Sequence, residues 1–498
     1  MLFNDIFAQH PAEREAIIDQ DRVVTYGELR QMVDRWAAAF QQSGVKPGDR
    51  VGLFSKNCLE FILTYFAVIR AGGVVVPINF QLVPHEVAYI VRDADIHLLV
   101  AREPLPMDEA LEAIGYSGLR QVTFDEMHAM PETPLVPVNM EPGTNCSIIY
   151  TSGTTGRPKG AMLSHKNLCS NAMDFSRIVP YNEKDTVLCL LPMYHCYAWT
   201  VCVVSTLLRG GRIVIQSVYN FKTAMRLVKK HKVTVFTGVP AVFRLLCESR
   251  DLDSVESVRF FISGGAPLGL DLGRTFALKY GRPVLEGYGL SEASPVVSFN
   301  YPGKIRIGSI GVAIPEVDVK IVDPDGKVLE RCERGELLAK GPNVMMGYLN
   351  HPDDTKKTIV DGWLHTGDVG YIDEDGFIFL VDRLKDLIIS SGENVYPREI
   401  EEAACQYEGV AEAAVIGVPD KLRGEAICIY VVPREGAQIN LKALRQSLIG
   451  KIAPYKVPRE YFIVDEMPKT NLGKIRKNIL RERTIAILSE DKLAGRPL

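Results

Sequence analysis

Apolar and polar positions follow two rhythms along this chain, and the rhythm changes near residue 300. Before that point short apolar runs recur at 51–54, 73–78 and 97–101, then at 186–191, 211–215, 233–237, 257–262 and 283–286. Helical patterns lie between several of them. Thr25-Tyr-Gly-Glu28 reads as a capping box, in which hydroxyl and carboxylate each satisfy a free helix N–H. Leu29, Val33, Trp36, Ala37 and Phe40 then recur at helical spacing, and Gly44 closes the run. Short apolar strands alternating with helices predict parallel sheets covered on both faces. Two such sets predict two doubly wound α/β subdomains, although no exact sequence repeat links them.

After residue 300 the pattern turns to hairpins. Val322-Asp-Pro-Asp-Gly-Lys-Val328 and Ile372-Asp-Glu-Asp-Gly-Phe-Ile378 each place Asp-Gly between apolar flanks. They predict a small β-rich subdomain at roughly 300–382. From Lys385 the pattern changes once more, to strand 386–390, helix 397–407, strands 411–416 and 425–432, and helix 440–450. The expected fold class is therefore α/β: a large N-terminal domain, 1–384, holding two doubly wound subdomains and the β-rich one, followed by a small α+β domain, 385–498. No low-complexity linker separates the two, so the joint is short.

Composition narrows the class. At 498 residues, 47% apolar and 24% charged, the chain can bury large cores and does not read as disordered. Net charge is −4, but residues 441–498 carry 13 Lys/Arg against 6 Asp/Glu. Such a basic end is either a solvated face or a surface for a polyanion. Ten cysteines with no C-x-x-C pair fit reduced thiols in a cytoplasmic protein and no zinc site. Met1 to Ala16 lacks the basic and apolar regions of a secretion signal. Thr186 to Leu208 is free of Asp, Glu, Lys and Arg, yet Pro192 and His195 interrupt it. It predicts a buried strand followed by a buried helix, with no transmembrane segment.

The densest chemistry lies in Tyr150-Thr-Ser-Gly-Thr-Thr-Gly-Arg-Pro-Lys-Gly160, directly after the apolar strand Ser147–Tyr150. Glycines free backbone amides to approach an anion, hydroxyls donate further, and Lys159 adds a point charge. This is a phosphate cradle, or else a polar hairpin. It is not the common P-loop, which needs Gly and Ser/Thr where this chain has Pro158 and Gly160. Two further Gly-rich turns follow strands, where open α/β sheets place ligands: Ser263-Gly-Gly-Ala-Pro267 and Gly287-Tyr-Gly-Leu-Ser-Glu292. The glycines, Gly287 and Gly289 among them, let a flat ligand approach. Tyr288 offers a stacking face and Glu292 a hard oxygen for a divalent cation. Asp368 supplies a carboxylate in a tight turn, either for vicinal hydroxyls or as a cap, and Arg383 follows it.

Six segments carry a resemblance that covers nearly the whole chain: Tyr150–Gly160, Leu191-Pro-Met-Tyr-His195, Gly287–Glu292, Thr366-Gly-Asp368, Asp382-Arg-Leu-Lys-Asp386 with Ser391-Gly-Glu-Asn-Val-Tyr-Pro397, and Pro468–Lys474. In order and spacing they resemble the adenylate-forming acyl-CoA synthetases. The resemblance implies two steps. A carboxylate attacks ATP to give acyl-adenylate and pyrophosphate, and the thiol of coenzyme A then displaces AMP. It also implies roles. Thr151, Ser152, Gly153, Thr154, Thr155 and Lys159 would grip the β- and γ-phosphates. Gly264, Gly265, Ala266 and Pro267 would line the adenine, with Tyr288 stacked on it. Ser291 would meet the α-phosphate, and Glu292 would help hold Mg²⁺. Asp368 and Arg383 would take the ribose, and His195 would lie beside the carboxylate and thiol path. Lys474 matches the family's invading lysine, which stabilises charge developing during adenylation. Lys385 matches the hinge about which a mobile C-terminal domain turns, and Gly392 and Asn394 fall in the segment brought against pantetheine. The basic C-terminal surplus then suits the phosphates of coenzyme A.

The acid is the least constrained expectation. By resemblance its pocket is lined by Tyr197, Val201, Gly238, Ser294, Pro295 and Val296, none of them a cation. Malonate-type relatives carry an arginine directly before the Tyr-Gly pair, where this chain has Gly287. A medium- or long-chain fatty acid is the preferred substrate, with an aryl or cinnamate-like acid as the alternative. A further class is an acyl-AMP ligase that loads a separate carrier protein, or a binding protein that has lost catalysis; intact Lys159, Glu292 and Lys474 argue against the last. No nucleic-acid partner is expected. Oligomeric state is left open, a homodimer included.

Overall fold

Thr25 accepts the N–H of Glu28 and the Glu28 carboxylate accepts that of Thr25, so the expected capping box opens helix Tyr26–Gln42. A computed structural model describes residues 1–151, 158–249, 255–390, 393–420, 423–449, 451–469 and 473–493. Two compact units divide the chain: Met1–Val319 with Leu338–Thr366, and Lys320–Leu337 with Gly367–Leu498.

The first unit holds a nine-stranded and a seven-stranded sheet. In the larger sheet, strands Phe260–Ser263, Val235–Gly238, Thr186–Cys189 and Arg212–Ile215 run parallel, as the apolar runs predict. Its edges differ from the expectation of purely parallel sheets. Val296–Phe299 returns antiparallel beside Val284–Gly289, and the N-terminal hairpin Glu15–Asp19/Arg22–Thr25 joins the far edge by pairing Ile17 with Ile213. Chain order therefore does not separate the two subdomains cleanly, because the first two strands complete the second sheet. In the smaller sheet, Val74–Ile78, Arg50–Phe54, Leu98–Ala101 and Arg120–Thr123 are parallel.

The larger of two apolar clusters in this unit draws on both sheets. Helix Leu59–Arg70 is apolar all round, which only a buried helix tolerates, and its ring Tyr65 stacks on Trp199 at 3.9 Å between centroids. Trp199 lies in the charge-free stretch, which forms strand Thr186–Cys189 and then buried helical turns from Cys196 to Leu208, as predicted. No helix among the described residues is long and apolar enough to cross a membrane.

Both predicted hairpins are present, Val322 bridging Val328 and Ile372 pairing with Ile378. In the second unit a five-stranded sheet is built on Val410–Asp420 and Gly424–Pro433, covered by helices Pro397–Cys405 and Leu441–Ile449. The expected boundary after residue 384 falls inside this unit. Strand Ile378–Arg383 bonds directly to helix Pro397–Cys405 through Asp382 and Leu380.

Candidate active site

The segment expected to cradle phosphate lies between the two strands of an antiparallel pair. Strand Asn145–Thr151 pairs with strand Lys159–Ser164, Thr151 lying opposite Lys159. A strand, not a helix, therefore begins at Lys159, in keeping with Pro158. Ser152, Gly153, Thr154 and Thr155 lie outside the described residues. Lys159 opens the second strand, and its ammonium lies 2.6 Å from Asp354 Oδ2 and 5.6 Å from the centre of the Tyr348 ring. Tyr348 is there because the short strand Gly347–Tyr348 pairs with Ala161 and Met162. Its hydroxyl donates to Glu292 Oε1 at 2.8 Å. Burial, reinforced by the Glu292 charge, pushes the phenol's pKa far up, so it remains a donor. One tyrosine thus meets both the lysine expected on phosphate and the carboxylate expected on metal.

Sequence reasoning missed Tyr348 and Asp354. Neither sits near a Gly-rich turn, and only long-range strand pairing brings them to Lys159.

The turn expected at the adenine follows strand Phe260–Ser263, with the Gly264 N–H facing Gly238 O at 3.4 Å. Gly264 packs against the Tyr197 ring, which a Cβ there would meet at 3.1 Å. Buried Glu286, another residue missed in the sequence, accepts the N–H of Leu268 at 2.9 Å and so pins the far end of this turn. Gly287, Tyr288 and Gly289 end the next strand, opposite Phe299, Ser298 and Val296. At Gly287 a Cβ would fall 2.1 Å from Phe299 Cδ2, and Phe299 is itself buried against Phe175. Only glycine fits that crossing. Ser291 and Glu292 lie in the turn Ser291–Ala293, and Ser291 Oγ is 3.3 Å from Cys196 Sγ. The segment that follows, Ser294, Pro295 and Val296, is fixed by two buried asparagines. Asn171 exchanges bonds with the Val296 backbone at 2.7 and 3.0 Å, and Asn343 donates to Ala293 O at 2.9 Å.

His195 precedes the first buried helical turn and caps it. The N–H of Tyr197 donates to His195 Nδ1 at 3.2 Å. That bond fixes the neutral tautomer with the proton on Nε2. Burial lowers the imidazole's pKa to about 4, so at neutral pH it is an uncharged donor. The Tyr197 hydroxyl is shared between Gly238 O at 3.3 Å and Ile262 O at 3.2 Å, and Val201 is fully buried beyond it. The structure thus gathers Tyr197, Gly238 and Gly264 at one place and ties Thr200 to Ser294 O at 3.1 Å.

A second cluster belongs to the second unit. Asp368 and Arg383 face each other across the strand pair, Arg383 Nε donating to Asp368 Oδ1 at 2.9 Å. Gly367 N–H donates to Glu336 Oε1 at 3.0 Å and steadies the turn before Asp368. Lys474 stands in the field of this pair and of Lys385 and Asp386. It is exposed as a residue, but desolvation at its ammonium, reinforced by Arg383, lowers its pKa to about 8. Lys385 is exposed in the turn Leu384–Asp386. Asn394 lies in strand Glu393–Val395 opposite Ile389, and Gly392 is outside the described residues.

A divalent cation fits the Glu292 site in one particular way. Among the described residues no group of three or more acidic, His or Cys side chains forms a cage. One carboxylate with a second oxygen not bonded to Tyr348 suits magnesium, which is held by one or two carboxylates plus substrate phosphates.

Comparison with known proteins agrees with this geometry. Residues 3–349 match the model of the AMP-binding enzyme family, and 399–474 that of the AMP-binding enzyme C-terminal domain. A long-chain-fatty-acid–CoA ligase of Bacillus subtilis is 33% identical over 97% of this chain and 94% of its own length. A feruloyl-CoA synthase of an Amycolatopsis species is 37% identical over 92% of this chain and 94% of its own. The crystal structure of ATP-bound MatB from Rhodopseudomonas palustris superposes with a TM-score of 0.92 at 34% identity, covering 97% of this chain and 99% of that one.

Proposed function

This chain belongs to the AMP-binding enzyme family and is an acid–coenzyme A ligase that works through an acyl-adenylate, and we propose that its acid is a medium- or long-chain aliphatic monocarboxylate. The observation that carries the choice is the Gly287 crossing. A dicarboxylate needs a buried cation for its second charge, because an unpaired carboxylate is expensive to desolvate. The position where malonate-type relatives place an arginine admits no side chain here, since Phe299 occupies the space. The remaining wall carries no charge: Val201 and Val296 are buried, the Tyr197 hydroxyl is already committed to two carbonyls, and Ser294 adds a buried hydroxyl without a hydrogen-bond partner.

In this reading Lys159 and residues 151–155 bind the β- and γ-phosphates, and Asp368 with Arg383 holds the ribose. The Nε2–H of His195 donates to the acid's carboxyl group and cannot act as its base at neutral pH. Lys474 stabilises charge on the reacting phosphate as the carboxylate attacks. Glu292 would hold magnesium, which would supply positive charge beside the departing pyrophosphate. The thiol of coenzyme A then displaces AMP. Ground needed by Lys474 in the first step must open in the second, so the chain beyond Lys385 turns between them.

The test is a panel of C2 to C18 fatty acids, malonate, succinate, and cinnamate-type acids, assayed for pyrophosphate release and acyl-CoA. The highest kcat/KM falls on an acid of eight or more carbons, roughly the size that fills an apolar pocket. A maximum on malonate or succinate removes the reading, and pyrophosphate release without acyl-CoA from any acid removes coenzyme A as acceptor. A second reading, an aryl acid of the cinnamate type, is favoured by one feature. The Tyr197 ring, anchored at its hydroxyl, gives the pocket a flat, immobile wall. A 4-coumarate kcat/KM above that of dodecanoate selects it.

A further inference from the structure

The turn Leu384–Asp386 separates the Asp368–Arg383 pair from all the chain that follows, and a set of bonds reaches back over it to one strand end. Asp382 Oδ1 accepts the N–H of Arg383 at 2.8 Å, and its Oδ2 accepts the N–H of Arg398 at 2.8 Å. The Arg398 guanidinium donates to Leu380 O at 3.1 Å. Helix Pro397–Cys405 has Pro at its first position and no capping side chain from Tyr396, so Asp382 caps it from another strand.

The charge of the same carboxylate also acts on Lys477. That lysine pairs with Glu401 at 2.8 Å, and Glu401 also accepts the N–H of Val415 at 2.7 Å. Burial would pull the ammonium's pKa down, but Glu401 and Asp382 outweigh it and carry it up. Burial raises both carboxyl groups against the opposing pull of Lys477. Asp386 adds a further negative charge beside the cluster.

Lys477 begins helix Lys477–Leu493, three residues after Lys474. Between the two, Arg476 N–H donates to Pro468 O at 2.7 Å and Ile475 bridges Lys469. The lysine expected to serve adenylation thus hangs on a short, tied segment whose far end is the Lys477 ion pair.

We infer that Asp382, acting with Glu401 through Lys477, is a positioning residue that holds Lys474 beside the Asp368–Arg383 pair for adenylation and is released when the chain turns at 384–386. The inference rests on the reading of Lys474 proposed above. Asp382 and Leu380 lie before the turn, whereas Arg398, Glu401 and Lys477 lie after it, so rotation there breaks these bonds. The arrangement therefore serves one half-reaction only.

The experiment uses the full chain, with dodecanoate and dodecanoyl-AMP, or 4-coumarate and its adenylate if the aryl reading prevails. Asp382→Asn is expected to slow pyrophosphate release on the order of tenfold or more, since small misplacements of a catalytic group cost that much. Conversion of supplied acyl-AMP to acyl-CoA stays within about threefold of wild type, because that half-reaction does not use the held position. In a Lys474→Ala background the same substitution costs adenylation nothing further, since the two act as a unit. Lys477→Met, which keeps the stem and removes the charge, gives the same signature. Equal loss in both half-reactions, or an undiminished effect in the Lys474→Ala background, overturns the inference. If Lys474→Ala itself spares adenylation, the assignment of Lys474 has failed. If Lys474→Ala cripples adenylation and Asp382→Asn does not, the positioning role alone has failed.

Discussion

Lys159 Nζ lies 2.6 Å from Asp354 Oδ2. The pair couples the start of strand Lys159–Ser164 to helix Pro352–Thr358, and hydrogen bonding to Lys159 holds the Asp354 carboxyl below the usual range. If Lys159 binds phosphate as proposed, polyphosphate and Asp354 compete for one ammonium. A partly exposed pair of this kind is worth about 0.2–1 kcal/mol. Asp354→Asn should lower KM for ATP by a factor of roughly 1.4 to 5, the same energy expressed as affinity. Initial rates of pyrophosphate release against ATP measure it. A raised KM would mean that Asp354 orients the lysine and does not compete for it.

Gly287 should be intolerant in a specific way. Gly287→Ala drives a methyl into the Phe299 ring, and overpacking a core costs typically 1–3 kcal/mol. The expected result is a lowered Tm with the acid profile unchanged. Gly287→Arg alone should gain no malonate activity, because no space receives the side chain. Pairing it with Phe299→Ala opens that space, so malonate turnover appearing in the double variant and not in the single one is the expected pattern. A stable Gly287→Arg variant that turns over malonate would refute the packing argument.

These two sites differ in how much of them is legible in the amino-acid sequence. Gly-rich turns after apolar runs announce themselves locally, so Gly264–Pro267 and Gly287–Glu292 can be placed at strand ends from residue pattern alone. The Thr25–Glu28 box and the two Asp-Gly hairpins are equally local signals. Tyr348, Asp354 and Glu286 carry no such signal. They reach the site through pairings and side-chain bonds between distant segments, which periodicity cannot encode. The Glu15–Thr25 hairpin escapes assignment to the second sheet for the same reason, since its partner is Arg212–Ile215.

The pH dependence of adenylation should follow Lys474. Its pKa is lowered to about 8, so the ammonium is present below that pH and is lost as pH rises through it. Since kcat/KM reports the free enzyme's groups, kcat/KM for ATP in pyrophosphate release should bend downward above about pH 8. Arginine stays charged throughout, so Lys474→Arg should move the descending limb upward even if its maximal rate is lower. Identical limbs in the two proteins would assign the bend to another group.

The turn at Leu384–Asp386 offers the most direct separation of the two half-reactions. Lys385 lies in the middle of a 3-10 turn, where the φ that proline demands is already close at hand. Proline there fixes φ near −65°, so the turn can no longer change shape freely. The bond from Asp382 to Arg398 and its charge attraction to Lys477 remain chemically intact in such a variant, so the arrangement proposed to hold Lys474 persists. Lys385→Pro should accordingly keep pyrophosphate release within about threefold of wild type and cut acyl-CoA formation from supplied acyl-AMP by about tenfold or more, as expected when a gating motion is blocked. Its Tm should stay close to wild type, because Lys385 is exposed and packs into no core. Asp382→Asn is expected to do the opposite to the two half-reactions. The pair of variants therefore tests one mechanism from both sides, and matching losses in both would show that the swivel lies elsewhere.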